Sequence, residues 1–298
     1  MFLIRYTTDE GPGPKVGVLD GDRLAILAVP SMAALLQLPL DDLRSQVETA
    51  QWQPLPAGLQ LLAPVDSRTE IWASGVTYLR SREARIEEST QQSVYELIYE
   101  APRPELFFKS SAWRAVTDGE PVAVRSDSAT NVPEPELAVL ANRHAEIIGY
   151  LICNDMSSRT LEGENPLYLP QAKVFAGACA LSHGIRPVWE LDTADLPIVI
   201  HITRAGAVAF HGSTRTSSIR RPLAQLVDYL FHSENFPDGA VLSTGTGIVP
   251  DVDFSLHADD IVSISIEGLG TLSNRVVVGK ENFRFLADRF LTPPMGDL

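Results

Sequence analysis

The 298-residue sequence predicts an α+β, β-rich fold with two parts: a small N-terminal α/β domain over residues 1–65 and a larger domain over residues 66–298. Three observations carry this. Apolar runs of strand length recur along the chain, separated by Gly, Pro, Asn and Asp. Long helical character without Gly or Pro is confined to one stretch, 78–100. Between them, QWQPLPAGLQLLAPVD carries three prolines, reads as an extended connector and sets the boundary near residues 60–68.

Taken in order, FLIRY, DEGPGP and KVGVLDGDRLAIL give strand, turn and strands. Residues 31–49 read as helix with a break near Pro39. YLRSREARIEESTQQSVYELIYE is the long helix, stopped by Pro102. EPVAVRSD, PELAVLAN and EIIGYLICND follow as strands. LPIVIHITRAGAVAFHGS reads as a hairpin around Ala205-Gly206, and DIVSISIEGLGTLSNRVVVG as a second one. Helices are expected over 221–232 and 281–290.

Charge narrows the function classes. With 24 basic against 38 acidic residues the net charge is −14, which repels phosphate backbones and argues against nucleic-acid partners. No apolar run reaches the ~18 residues of a membrane span, so no membrane partner is expected. Two cysteines, Cys153 and Cys179, cannot build a disulfide framework, which fits a reducing cytoplasm. His144, His183, His201, His211, His232 and His257 show no close metal-ligand spacing, and none is assigned to catalysis.

The most informative stretch is Pro133-Glu-Pro-Glu-Leu-Ala-Val-Leu140. On a strand, Glu134 and Glu136 point to the same face, where two acids repel unless something neutralises them. If PELAVLAN and EIIGYLICND form a hairpin centred near His144, Asp155 lies opposite Glu134. An even-residue loop then puts all three acids on one face, and a slip of one residue breaks the arrangement. Three carboxylates suit a hard, oxygen-seeking cation, Mg²⁺ first and Mn²⁺ or Ca²⁺ next. Solvated acids at strand ends are the plain alternative.

These residues resemble the metal site of the fumarylacetoacetate-hydrolase superfamily. Its E-x-E-L-A-V pattern, followed by G-Y-x-x-x-N-D-x-S-x-R, is matched by PEPELAVL and GYLICNDMSSR. Its later lysine is matched by Lys173 in LPQAKVFAGACAL, its G-x-x-Y by Gly75 to Tyr78, its F-x-K by Phe107 to Lys109, and its T-G-T loop by Thr244 to Thr246. The resemblance covers nearly the whole chain and is weakest before residue 65. It implies a small N-terminal domain followed by a catalytic mixed β-sheet roll, Mg²⁺ held by Glu134, Glu136 and Asp155, a small-molecule 2-keto acid substrate, and a homodimer or homotetramer. RPELFFK, VAVRSDS, ENPLYLPQAK and TGTGIVP further resemble a branch that dehydrates 2-keto-3-deoxy sugar acids.

One departure separates activities within the superfamily. The hydrolase branch carries a histidine three residues after the tyrosine of G-x-x-Y, and here that residue is Ser81. A serine does not act as a base near neutral pH without a partner for its proton. The resemblance therefore implies a hydro-lyase giving 2,5-dioxopentanoate. An acylpyruvate or fumarylacetoacetate-type C–C hydrolase is the first alternative, and a non-catalytic metal and keto-acid binder the second. Lys173 is the expected proton-transfer group, with Glu162 and Glu164 as acids for the leaving hydroxyl. Thr246 is expected at the substrate carboxylate, Tyr78 and Lys109 in the pocket, and Arg159 beside the metal-site acids.

Overall fold

A strand buried on both faces has no polar side to show, so its sequence reads as a continuous apolar run. Pro135–Ala141 and Ile147–Asp155 are such strands, and they pair antiparallel at the centre of a mixed sheet. The computed structural model describes residues 1–9, 11, 13–88 and 97–288, and among these the sheet has twelve strands. Ala240–Ser243 flanks the hairpin on one side, followed by Glu70–Gly75 in parallel and Glu105–Ser111 antiparallel to that. Cys179–Leu181 and Gly184–Pro187 flank it on the other.

The two faces of the hairpin serve two cores. Leu137, Val139 and Ile152 pack with Ile198, Ile200, Ile264 and Leu272 of a second, five-stranded sheet. Pro197–Arg204 and Ala207–Arg215 form the first hairpin of that sheet, turning at Ala205 and Gly206, both with positive φ. Ile261–Ile266 and Gly270–Val278 form its second. Ala138, Leu140 and Leu151 face the opposite core, with Met32, Leu35 and Leu43 of the N-terminal helices. Two packed sheets with short helices on their flanks make the β-rich α+β roll that the sequence predicts.

The N-terminal residues form a meander, Phe2–Thr7, Lys15–Asp20 and Arg23–Ile26, followed by helices Met32–Leu35 and Leu40–Thr49 on either side of the break at Pro39. Phe2–Thr7 also pairs with Gly184–Pro187, so the large sheet runs across the expected boundary near residue 65. Asp66 ties the junction. Its carboxylate accepts from the backbone N–H groups of Met32 (3.1 Å) and Ala33 (2.9 Å) and pairs with Arg5 Nε at 2.9 Å.

The long helix begins where expected, as Leu79–Glu88, and is helical again over 97–100; residues 89–96 of that expectation lie outside the described residues. The 221–232 helix is Leu223–Phe231. The 281–290 helix is a 3₁₀ turn, Glu281–Phe283, continued by Arg284–Asp288, with 289–290 outside the described residues. Among the described residues no helix is long and apolar enough to cross a membrane.

Candidate metal centre and its cavity

Pairing of Pro135 with Asn154 and of Glu136 with Cys153 fixes the register of the central hairpin. One step further, the Asp155 N–H donates to the Glu134 carbonyl at 3.0 Å, so these two acids face each other. The connection between the strands has five residues, an odd number. A bulge between Leu140 and Ala141 restores the parity, and Glu134, Glu136 and Asp155 emerge on one face. All three are buried, with carboxylate oxygens within 4.8 Å of one another.

Such a cluster needs cations, and two lysines reach it. Lys173, at the end of helix Leu169–Lys173, places Nζ 2.6 Å from Glu134 Oε2, 3.3 Å from Asp155 Oδ2 and 3.3 Å from Glu162 Oε1, and donates to Ser157 Oγ at 2.6 Å. Lys109 Nζ pairs with Asp155 Oδ1 at 2.5 Å and donates to the carbonyls of Met156 (2.8 Å) and Lys173 (2.6 Å). Glu136 receives hydrogen bonds from Ser243 Oγ and from the Gly245 N–H at 2.8 Å. Burial, followed by the charges of Asp155 and, less, Glu134, pushes its carboxyl well above the usual carboxylate range. The donor set is therefore all oxygen, buried and short of positive charge, which fits Mg²⁺. Glu134, Glu136 and Asp155 are the residues that would hold it.

The motifs read from the sequence meet at this site. Thr77 Oγ1 donates to the Thr244 carbonyl at 2.6 Å, tying G-x-x-Y to the T-G-T loop. Gly245, at φ +92°, leaves no room for a side chain: a Cβ there would lie 2.0 Å from Thr77 Oγ1. Tyr78 is buried with its ring under Gly247, and burial pushes its hydroxyl above the ordinary tyrosine range. Ser81 lines the cavity, but its Oγ donates to the Tyr78 carbonyl (2.8 Å) and accepts the Tyr78 N–H (3.2 Å).

Of the other expected residues, Lys173, Arg159 and Thr246 line the cavity. Arg159 Nη1 donates to the Pro250 carbonyl at 2.8 Å, and the Thr246 hydroxyl is shared with the backbone of Ile248. Glu162 is buried behind Lys173, while Glu164 is exposed at the end of the same helix, Arg159–Glu164. Lys109 lies beneath the acids, where it anchors both Asp155 and the turn carrying Lys173. The sequence assigned no role to Glu105, Phe107 or Ser74, which also line the cavity. The available signal was Glu105, Phe107 and Lys109 at every second position of one strand.

Residues 71–277 match the family model described as fumarylacetoacetate (FAA) hydrolase C-terminal. The chain belongs to the fumarylacetoacetate-hydrolase family. It is 44% identical over 219 residues to a 2-dehydro-3-deoxy-D-arabinonate dehydratase of Saccharolobus solfataricus, covering 72% of this chain and 73% of that one. It is 46% identical over 214 residues to a probable 2-keto-3-deoxyxylonate dehydratase of Haloferax volcanii, with the same two coverages. A solved structure of 2-keto-3-deoxy-D-arabinonate dehydratase complexed with magnesium and 2,5-dioxopentanoate superposes with a TM-score of 0.81 at 34% identity, over 94% of this chain and all of that one.

Proposed function

We propose that the chain dehydrates a 2-keto-3-deoxy sugar acid, 2-keto-3-deoxy-D-arabinonate foremost, to 2,5-dioxopentanoate and water. The observation that carries this is the place of Lys173, whose Nζ is buried 2.6 Å from Glu134 and 2.6 Å from Ser157 in the cavity of the acidic triad. The dehydratase names of the two curated relatives support the same chemistry.

Magnesium, when bound, polarises the C2 carbonyl of a keto acid and makes its C3 protons acidic. With the cation taking over neutralisation of the acids and disfavouring a second positive charge beside it, Lys173 as the neutral amine would take a proton from C3, with Ser157 and Glu162 holding its Nζ in position. The C4 hydroxyl then receives the proton that Lys173 has taken and leaves as water, which leaves a C3–C4 double bond. Removal of a C5 proton and return of a proton to C3 give an enol at C5, which becomes the aldehyde. No electrons are gained or lost overall, and one water is released. Hydrolysis of a C–C bond would instead need a base to activate water, and the Ser81 hydroxyl at that position is engaged with the backbone of Tyr78.

The test offers 2-keto-3-deoxy-D-arabinonate and an acylpyruvate, each with Mg²⁺, and identifies the products by mass. The expected outcome is 2,5-dioxopentanoate from the first and little or no cleavage of the second. Pyruvate and a carboxylic acid from the acylpyruvate, with the sugar acid untouched, would replace the dehydratase by a hydrolase.

A further inference from the structure

Strand Glu105–Ser111 runs along one wall of the cavity, and its functional residues occur at every second position. At the metal end, Lys109 sits at a bulge opposite Ile71 and Trp72 and pairs with Asp155. Phe107 comes next, with its ring 5.5 Å from Lys173 Nζ. Glu105 follows, roughly 7 Å beyond Phe107 along the strand at about 3.3 Å per residue. Its partner across the sheet is Gly75, and its carboxylate lies over that glycine: a Cβ at residue 75 would fall 2.0 Å from Glu105 Oε2. Gly75 thus leaves the space that the carboxylate occupies, and both residues line the cavity.

This places a fourth acid on the cavity wall, four strand positions from Lys109, which pairs with Asp155. An ionised carboxylate is acceptor-only. It has no hydrogen to offer the C1 carboxylate of a keto acid and accepts from hydroxyl donors. A five-carbon acid has four C–C bonds of about 1.5 Å each, so its extended chain carries C5 on the order of 5 Å from C1, toward the Glu105 end when C1 and C2 lie at the acidic triad. We infer that Glu105 recognises the hydroxylated tail of the substrate by accepting a hydrogen bond from the C5 hydroxyl, and so fixes which end of the molecule meets the metal site. The inference rests on the keto-acid function proposed above and adds a specificity residue to it. A tail ending in a carboxylate or a methyl group gains no such bond.

Two probes differ by that hydroxyl alone and lack the C4 leaving group: 5-hydroxy-2-oxopentanoate and 2-oxopentanoate. Each is titrated calorimetrically into the Mg²⁺-loaded protein, as wild type, E105Q and E105L, with thermal melting as the check on folding. The wild type is expected to prefer the hydroxylated acid about 10-fold or more, the scale of a hydrogen bond to a charged group. E105L is expected to erase the preference, and E105Q, which keeps an acceptor, to retain part of it. Equal wild-type affinity for the two acids, equal weakening of both in E105L, or binding of neither overturns the inference. Dehydration is read separately: tail preference without formation of 2,5-dioxopentanoate would remove the reaction and leave Glu105 in its role.

Discussion

Lys173 holds its Nζ 2.6 Å from a carboxylate oxygen of Glu134, so the proposed proton-transfer group touches a proposed metal ligand. Lys173→Met keeps the length of the side chain and removes the amine. The variant is expected to retain Mg²⁺ binding by calorimetry, because it keeps all three acids, while kcat falls by about 100-fold or more, the usual scale for a general acid–base group. Near-normal kcat would move the proton to another residue.

Charge balance at the triad leads to a prediction about stability. Glu134, Glu136 and Asp155 are buried close together, so three like charges repel one another there. A cation bound to the native state alone raises the melting temperature with its concentration. Mg²⁺ should therefore stabilise the wild type in a thermal melt and leave E134Q, E136Q and D155N nearly unmoved. A full Mg²⁺-dependent shift in all three variants would place the ion elsewhere.

Asp66 is a structural counterpart. It joins Arg5 of the first strand to the start of helix Met32–Leu35. Removing one partner of a mostly buried pair leaves the other charge uncompensated, at a cost of about 3 kcal/mol. Asp66→Ala is expected to lose that much in denaturant unfolding, and a loss below about 1 kcal/mol would show that Arg5 finds other partners, such as the carbonyls of Ala63 and Val65 that it already meets.

How far the sequence reaches can be judged residue by residue. Strand periodicity alone places Glu134 and Glu136 on one face, and a hairpin centred near His144 sets Glu134 opposite Asp155. The bulge that makes the register work leaves no mark, because Leu140, Ala141 and Ile148 are all apolar. Glu162 and Glu164 lie about 200° apart on a helix of 100° per residue, so one had to face away, yet only tertiary packing decides which. Lysines belong at surfaces by composition, so Lys109 and Lys173 were legible only through motif resemblance. Glu105 was missed because Leu106 and Phe108 beside it are apolar as well, which hides the alternation of a half-buried strand. Pairing of Phe2–Thr7 with Gly184–Pro187, through Leu3 with Ile185 and Ile4 with Gly184, joins segments far apart in the chain, and no local pattern announces it.

His183 offers a pH test away from the metal centre. It follows strand Cys179–Leu181, and burial lowers its proton affinity below the ordinary histidine value of 6.5, with the charge of Asp118 opposing in part. Below pH 6.5 the unfolded chain therefore binds a proton at this residue that the folded chain resists. Stability rises with pH wherever the unfolded state carries more protons. The contribution of His183 is thus fully present above 6.5 and is lost as pH falls from there through the lower folded value. Urea unfolding across pH 7.5 to 5, in steps of about half a unit, should show a declining free energy for the wild type. In His183→Gln, which cannot take up the proton, that decline should be shallower. Parallel curves for the two proteins would show that His183 binds its proton equally well in both states.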